Sequence, residues 1–311
     1  MFTSWIGCTT ITLGGTEVLD EFVYDLEGDG LSPRTVSEYR RLLSKLPFEL
    51  PGTASQAKSY LSERRRAGVS AATIHYETRA LRRFGRWYRD TYGEADPYTT
   101  LKFPRVPQPV PGRVATPEAV DELLRSMRRE KGADRISGSR NIAVIRVMQT
   151  TGARLSEVAA MNISDVDFAA RRIAIHETKN YQGRFAPLAD VTAASIRHWM
   201  NFREGWPALE DDALWVGHDG RRLAGNGIAQ MLKRVNARYR IDPPLTAHTF
   251  RRGLAHTWAA AGGLDDALMS IAGWRSAAMP ARYRAELLGT RAHDEFDRIM
   301  NPGFRTISRR R

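Results

Sequence analysis

Four side chains in the later part of the chain have the types and spacing to move a phosphoryl group. Arg154 lies in TGARLSEV (151–158), His248 and Arg251 in TAHTFRRGLAH (246–256), and Tyr283 in AGWRSAAMPARYR (272–284). Arginine forks grip phosphate oxygens in a bidentate way. A histidine exchanges protons near neutrality, and a tyrosine hydroxyl can form a covalent intermediate. Gly152 can end one helix, so that Arg154 emerges near the start of the next, where backbone N–H groups attract an anion. Glu157, three residues on, is placed to orient its neighbours. His248 and Arg251 lie three apart on a helix and share a face, while Arg252 is directed elsewhere. Gly273 can end a helix and Ser276 can cap the next, which carries Tyr283. Trp274, in the turn, supplies an indole donor and a large packing surface. Each cluster alone has a plainer explanation. A structural ion pair accounts for Arg154 equally well, a local surface cap for His248, and core packing for Tyr283.

The elements around these residues divide at a proline-rich stretch. Prolines stand at 97, 104, 107, 109 and 111, and proline fixes φ and lacks an N–H, so residues 95–113 are predicted to be an extended linker. Before it, residues 1–94 are expected to form an all-helical module. Val18, Leu19, Phe22, Val23 and Leu26 repeat at helical spacing, and Ser32-Pro33 opens a second helix bearing Val36, Tyr39, Leu42, Leu43 and Leu46. A third helix is expected over 54–66 and a fourth from Ser70 to about Tyr92. The fourth carries Arg79, Arg82, Arg83 and Arg86 on one stripe, which is either a solvated face or, in a basic helical module, a DNA contact. After the linker, residues 114–311 are expected to be mixed α+β. The run NIAVIRVMQT (141–150) is apolar almost all round and should be buried. Residues 171–176 and 184–188 read as a β-hairpin. Helices are expected over 190–204, 223–238, 246–261, 264–272 and 277–288, with a frayed ISRRR end.

Bulk properties narrow the classes. The 311 residues carry a net charge of +12, and only six of the 47 basic residues are lysine. A basic surface favours nucleic acid through counterion release; GC-rich codons explain the arginine-to-lysine ratio equally well, but not the net charge. No apolar run approaches a membrane span. The single cysteine, Cys8, excludes an internal disulfide framework and cysteine-based zinc sites. No secretory signal is read at the N-terminus, so a cytoplasmic protein is expected.

The order Arg154, then His248-x-x-Arg251, then Gly273-Trp274, then Tyr283 nine residues after Trp274 resembles the tyrosine recombinase (phage integrase) family, and the resemblance covers the whole chain. Within TKNYQGRFAPL (178–188), Lys179 falls at the family's catalytic lysine position. Trp274 stands where many members have histidine, and Pro280 replaces a position often held by a small polar residue. The resemblance implies a mainly α, two-domain DNA clamp with a small antiparallel sheet. Tyr283 would attack a scissile phosphate to leave a 3′-phosphotyrosine, with Arg154 and Arg251 on the non-bridging oxygens. His248 would assist proton transfer, Lys179 would protonate the leaving 5′-oxygen, and Trp274 would donate to the phosphate or buttress the pocket. Neither metal nor other cofactor is implied. The implied partners are double-stranded DNA with an inverted-repeat core site, three further copies in a homotetramer, and a possible directionality factor. Phe296, Ile299 and Met300 share an apolar face that either packs on its own domain or docks on a neighbouring copy as an assembly helix. About 15 residues without lysine or arginine precede the first expected helix, so the simple type without an arm-binding domain is expected. A type IB topoisomerase-like enzyme and a non-catalytic DNA-binding protein are the competing readings.

Overall fold

The computed structural model describes residues 2–6, 9–107, 114, 116–129, 133–176, 183–205, 212–242 and 244–300. The chain divides into two compact units, Met1–Val110 and Pro111–Arg311. It is mainly helical, with a small antiparallel sheet in the second unit.

The first unit packs α1 (Gly15–Gly28), α2 (Pro33–Leu43), α3 (Ala54–Arg66) and α4 (Ala71–Tyr92) around one core. Their starts follow from local chemistry. The Ser32 hydroxyl accepts from the Thr35 N–H at 3.3 Å with Pro33 in the first turn, and the Ser70 hydroxyl accepts from the Thr73 N–H at 3.2 Å. Phe22 sits at the centre, edge-on to Phe84 with ring centroids 5.3 Å apart. Ahead of α1 the sequence reading leaves no structure, yet β1 (Phe2–Ile6) and β2 (Thr9–Leu13) pair as an antiparallel hairpin, Phe2 opposite Leu13. The segment read as linker from residue 95 also begins inside this unit. Tyr98 and Leu101 are buried in its core, and the Tyr98 hydroxyl donates to the Pro51 carbonyl. Gly85 on α4 makes room for that segment, since a Cβ there would lie 2.1 Å from an Asp96 carboxylate oxygen.

The second unit contains α5 (Pro117–Arg128), α6 (Ala133–Thr151), α7 (Leu155–Ala160), β3 (Val166–Asp167), β4 (Arg172–Ile175), β5 (Arg184–Pro187), α8 (Asp190–Arg203), α9 (Gly225–Tyr239), α10 (Ala247–Ala260), α11 (Asp265–Ala272) and α12 (Ala278–Met300). The apolar stretch on α6 is buried as its pattern requires, with Ala143, Val144, Ile145, Val147 and Met148 all closed to solvent. Trp199 and Trp215 are fully buried, and their indole N–H groups donate to the carbonyls of Leu214 at 2.7 Å and Val158 at 2.9 Å. The sheet order is β3-β4-β5, so the expected hairpin gains a two-residue edge strand too short to register as a pattern. One continuous helix, α12, spans both the stretch carrying Tyr283 and the Phe296–Met300 stretch. Pro280 lies in its first turn, where a missing N–H costs nothing.

Candidate active site

Arg154 precedes α7 because α6 stops one turn earlier. Gly152 adopts φ +59°, a left-handed conformation that suits glycine, and its N–H closes on the Met148 carbonyl at 3.0 Å. Glu157 then holds Arg154 twice. Its carboxylate accepts from the Arg154 backbone N–H at 2.8 Å and from Nη1 at 2.6 Å. The Glu157 side chain is only 1% exposed, whereas that of Arg154 is 44% exposed. Burial pushes the Glu157 carboxyl up, but the hydrogen bonds from Arg184 and Arg154 outweigh it and hold the group below the usual carboxylate range. At six residues α7 is a weak dipole, so positive charge here comes mainly from the guanidinium.

Arg251 and His248 come from α10, which starts at Thr246, whose hydroxyl accepts from the Thr249 N–H at 3.1 Å. Arg251 is 8% exposed and donates from Nη1 to the Gly152 carbonyl at 2.8 Å, tying α10 to the turn that launches Arg154. Burial, with the neighbouring Arg154, lowers its pKa to about 10, so it is still charged at neutral pH. Two cations side by side, one of them buried, favour the binding of an anion between them. His248 stands exposed on the first turn of α10. Partial desolvation of its ring, then the charges of Arg252, Arg251 and Arg282, hold its pKa below the ordinary histidine value, which favours neutral imidazole.

Trp274 and Tyr283 complete the cluster. Gly273 ends α11 with φ +65°, and the Trp274 N–H returns to the Met269 carbonyl at 3.0 Å. The Trp274 ring stacks on Tyr283 with centroids 5.6 Å apart and planes 17° from parallel. The Arg251 guanidinium carbon lies 5.0 Å from the centroid of the same indole. Tyr283 is 3% exposed, so it is packed rather than presented. Arg154 and Glu157 at the start of α7, Arg251 on α10, Trp274 in the turn after α11 and Tyr283 on α12 thus converge, with His248 one helical turn from Arg251.

The remaining expected residues fare differently. Lys179 lies outside the described residues. The arginine stripe on α4 divides. Arg79 and Arg86 are exposed, whereas Arg83 binds Asp29 at 3.2 Å and Arg82 stands 5.4 Å from the ring centroid of Phe103. One residue escaped sequence reasoning. Arg184, on β5, donates to Glu157 at 2.9 Å and to the Ile271 carbonyl at 2.9 Å. Its partners are 27 and 87 residues away, a distance at which periodicity carries no signal. Among the described residues, no three His, Cys, Asp or Glu side chains form a group that could hold a metal ion, and no helix is long and apolar enough to cross a membrane.

Comparison with known proteins agrees with this architecture. Residues 113–288 match the model of the phage integrase family. Tyrosine recombinase XerC of Yersinia pestis is 28% identical over 235 residues, covering 72% of this chain and 75% of the relative. Tyrosine recombinase XerD of Halalkalibacterium halodurans is 28% identical over 239 residues, covering 73% and 78%. The Tn1549 transposon integrase, solved with transposon right end DNA, superposes with a TM-score of 0.70 at 19% identity over 91% of this chain and 99% of that one. A lambda integrase (residues 75–356) dimer bound to a core site superposes with a TM-score of 0.69 at 13% identity over 88% and 95%.

Proposed function

The chain belongs to the phage integrase family of tyrosine site-specific recombinases, and on that premise we propose that it is the integrase of a phage or other mobile element, with Tyr283 as its nucleophile. The observation that carries the assignment of the site is the stacking of Tyr283 on an indole that also meets Arg251. In this reading a phosphate held beside Arg154 and Arg251 is the target of that hydroxyl. The Tyr283 oxygen attacks phosphorus, the 5′-oxygen leaves, and the phosphodiester energy is kept in a 3′-phosphotyrosine. The free 5′-hydroxyl of a partner strand then attacks that bond and releases the tyrosine. Arg154 and Arg251 stabilise the charge that grows on the non-bridging oxygens, each worth about 3 kcal/mol by analogy with an oxyanion donor. Neutral His248 receives the tyrosine proton, and Lys179 supplies the proton to the leaving oxygen. No step calls on a metal or on ATP.

Exchange between two duplexes needs four such sites, so the working form on DNA is a homotetramer. Exposure of Phe296, Ile299 and Met300 on α12 supports a role for that face in assembly. The DNA site is a short inverted repeat, both units contact it, and a directionality factor biases the outcome. The protein works in the bacterial cytoplasm, at the nucleoid. The XerC and XerD relatives leave a second reading open, resolution of one molecule into two as much as integration of one into another. Pairs of short core sites placed on one circle or on two separate molecules distinguish these outcomes. Integrase function predicts efficient joining of separate molecules. Products confined to sites on one circle would overturn it in favour of resolution.

A further inference from the structure

We infer that Arg184 is a positioning residue for strand cleavage, bridging the carboxylate that holds Arg154 and the helix end that precedes Trp274. The inference rests on the recombinase reading. Arg184 leaves β5 with its side chain 13% exposed. Nε donates to the carbonyl of Ile271 in the last turn of α11 at 2.9 Å, a group that the end of the helix leaves without an intrahelical donor. Nη2 donates to Glu157 Oε2 at 2.9 Å, the same oxygen that accepts the Arg154 backbone N–H. One planar fork therefore links β5, α7 and the end of α11.

The turn is shaped around this fork. A Cβ on Gly273 would lie 2.8 Å from Arg184 Nη1, 2.9 Å from Cζ and 3.1 Å from Nε. Glycine at 273 thus serves two needs, a φ of +65° and the space the guanidinium occupies. The next residue is Trp274, which carries Tyr283 and Arg251 on its indole. On the other side, Glu157 Oε1 is engaged by Arg154 Nη1, so the bond to Arg184 fixes the carboxylate plane and with it the direction of Arg154. Loss of Arg184 frees that plane and the α11 end together. Lysine cannot replace it fully, because it offers one nitrogen where the guanidinium offers two separated ones.

The test is single-turnover adduct formation on a nicked half-site at saturating DNA, with Arg184→Ala, Arg184→Lys, Glu157→Gln and the Ala/Gln double variant. Melting curves set a temperature at which each is folded. Arg184→Ala should bind DNA within about threefold of the wild type yet form adduct about 100-fold more slowly, the loss typical of a misplaced electrostatic group. Arg184→Lys should recover about tenfold of that loss, and the double variant should be no more than about threefold slower than the slower single, since both act through one contact. Should Arg184→Ala not fold, Arg184→Lys carries the test, and adduct formation by it at the wild-type rate overturns the inference. So does a folded Arg184→Ala protein that cleaves at the wild-type rate, or losses that multiply in the double variant. A wild type that gives no adduct overturns the recombinase reading as well, whereas a wild type that does, matched by Arg184→Ala, overturns this inference alone.

Discussion

At the scale of single residues, burial and neighbouring positive charge displace two titrations in the site. Arg251 is buried beside Arg154, which brings its pKa down to about 10. Partial burial and cationic neighbours lower that of His248. The sign matters for activity. A depressed histidine pKa means that the imidazole stays neutral to lower pH, so its capacity to take a proton is present above the ordinary value of 6.5 and is lost only as pH falls below it. The second-order rate constant for adduct formation, which reports the free enzyme, should fall on acidification with its midpoint below the ordinary histidine value. His248→Gln should lower the plateau and remove that decline. An inflection above pH 6.5 in the wild type would contradict the role given to His248.

At the scale of elements, the site depends on where helices stop. Left-handed glycines end α6 and α11, and each stop is bonded to the site: the Gly152 carbonyl by Arg251, the Ile271 carbonyl by Arg184. Gly273→Ala should therefore do two things. A left-handed alanine costs about 1 to 2 kcal/mol, and its Cβ would displace the Arg184 guanidinium. The melting temperature should fall by several degrees, and adduct formation should fall further than the loss of folded protein explains. A stable variant with unchanged cleavage would contradict this account of the turn. The elements were legible in the sequence to different degrees, for physical reasons. Arg154, His248-x-x-Arg251 and Tyr283 stand out through an order that resembles the tyrosine recombinase family, while helix periodicity and glycine stops account only for their local placement. The contacts of Arg184 could not, since they join strands and helix ends far apart in the chain. β3 is two residues long. In β1 and β2 the run FTSWI pairs with TTITL, two strands of five residues each, short for a pattern to register. The division of the α4 arginines was also hidden, because Asp29 and Phe103 reach that helix from outside it.

At the scale of the whole molecule, charge and assembly govern how the site meets DNA. Of the four arginines on the α4 stripe, Arg79 and Arg86 are the exposed pair, so these two should contact phosphates while Arg83 serves the fold. Arg79→Ala and Arg86→Ala should each weaken binding to all sequences alike. Each should also reduce the slope of log K against log salt by about 0.9, the counterion release of one phosphate contact. A change in sequence preference, or an unchanged slope, would contradict that assignment.

The central claim is that Tyr283 becomes covalently joined to DNA. A nicked suicide half-site, from which the cleaved fragment diffuses away, traps the adduct, and a denaturing gel resolves it from free protein. The wild type should give a band shifted by the mass of the strand, insensitive to EDTA. Tyr283→Phe should bind the same half-site with similar affinity, because only a hydroxyl is removed, and should give no such band. A covalent band from Tyr283→Phe would place the nucleophile elsewhere and contradict the account.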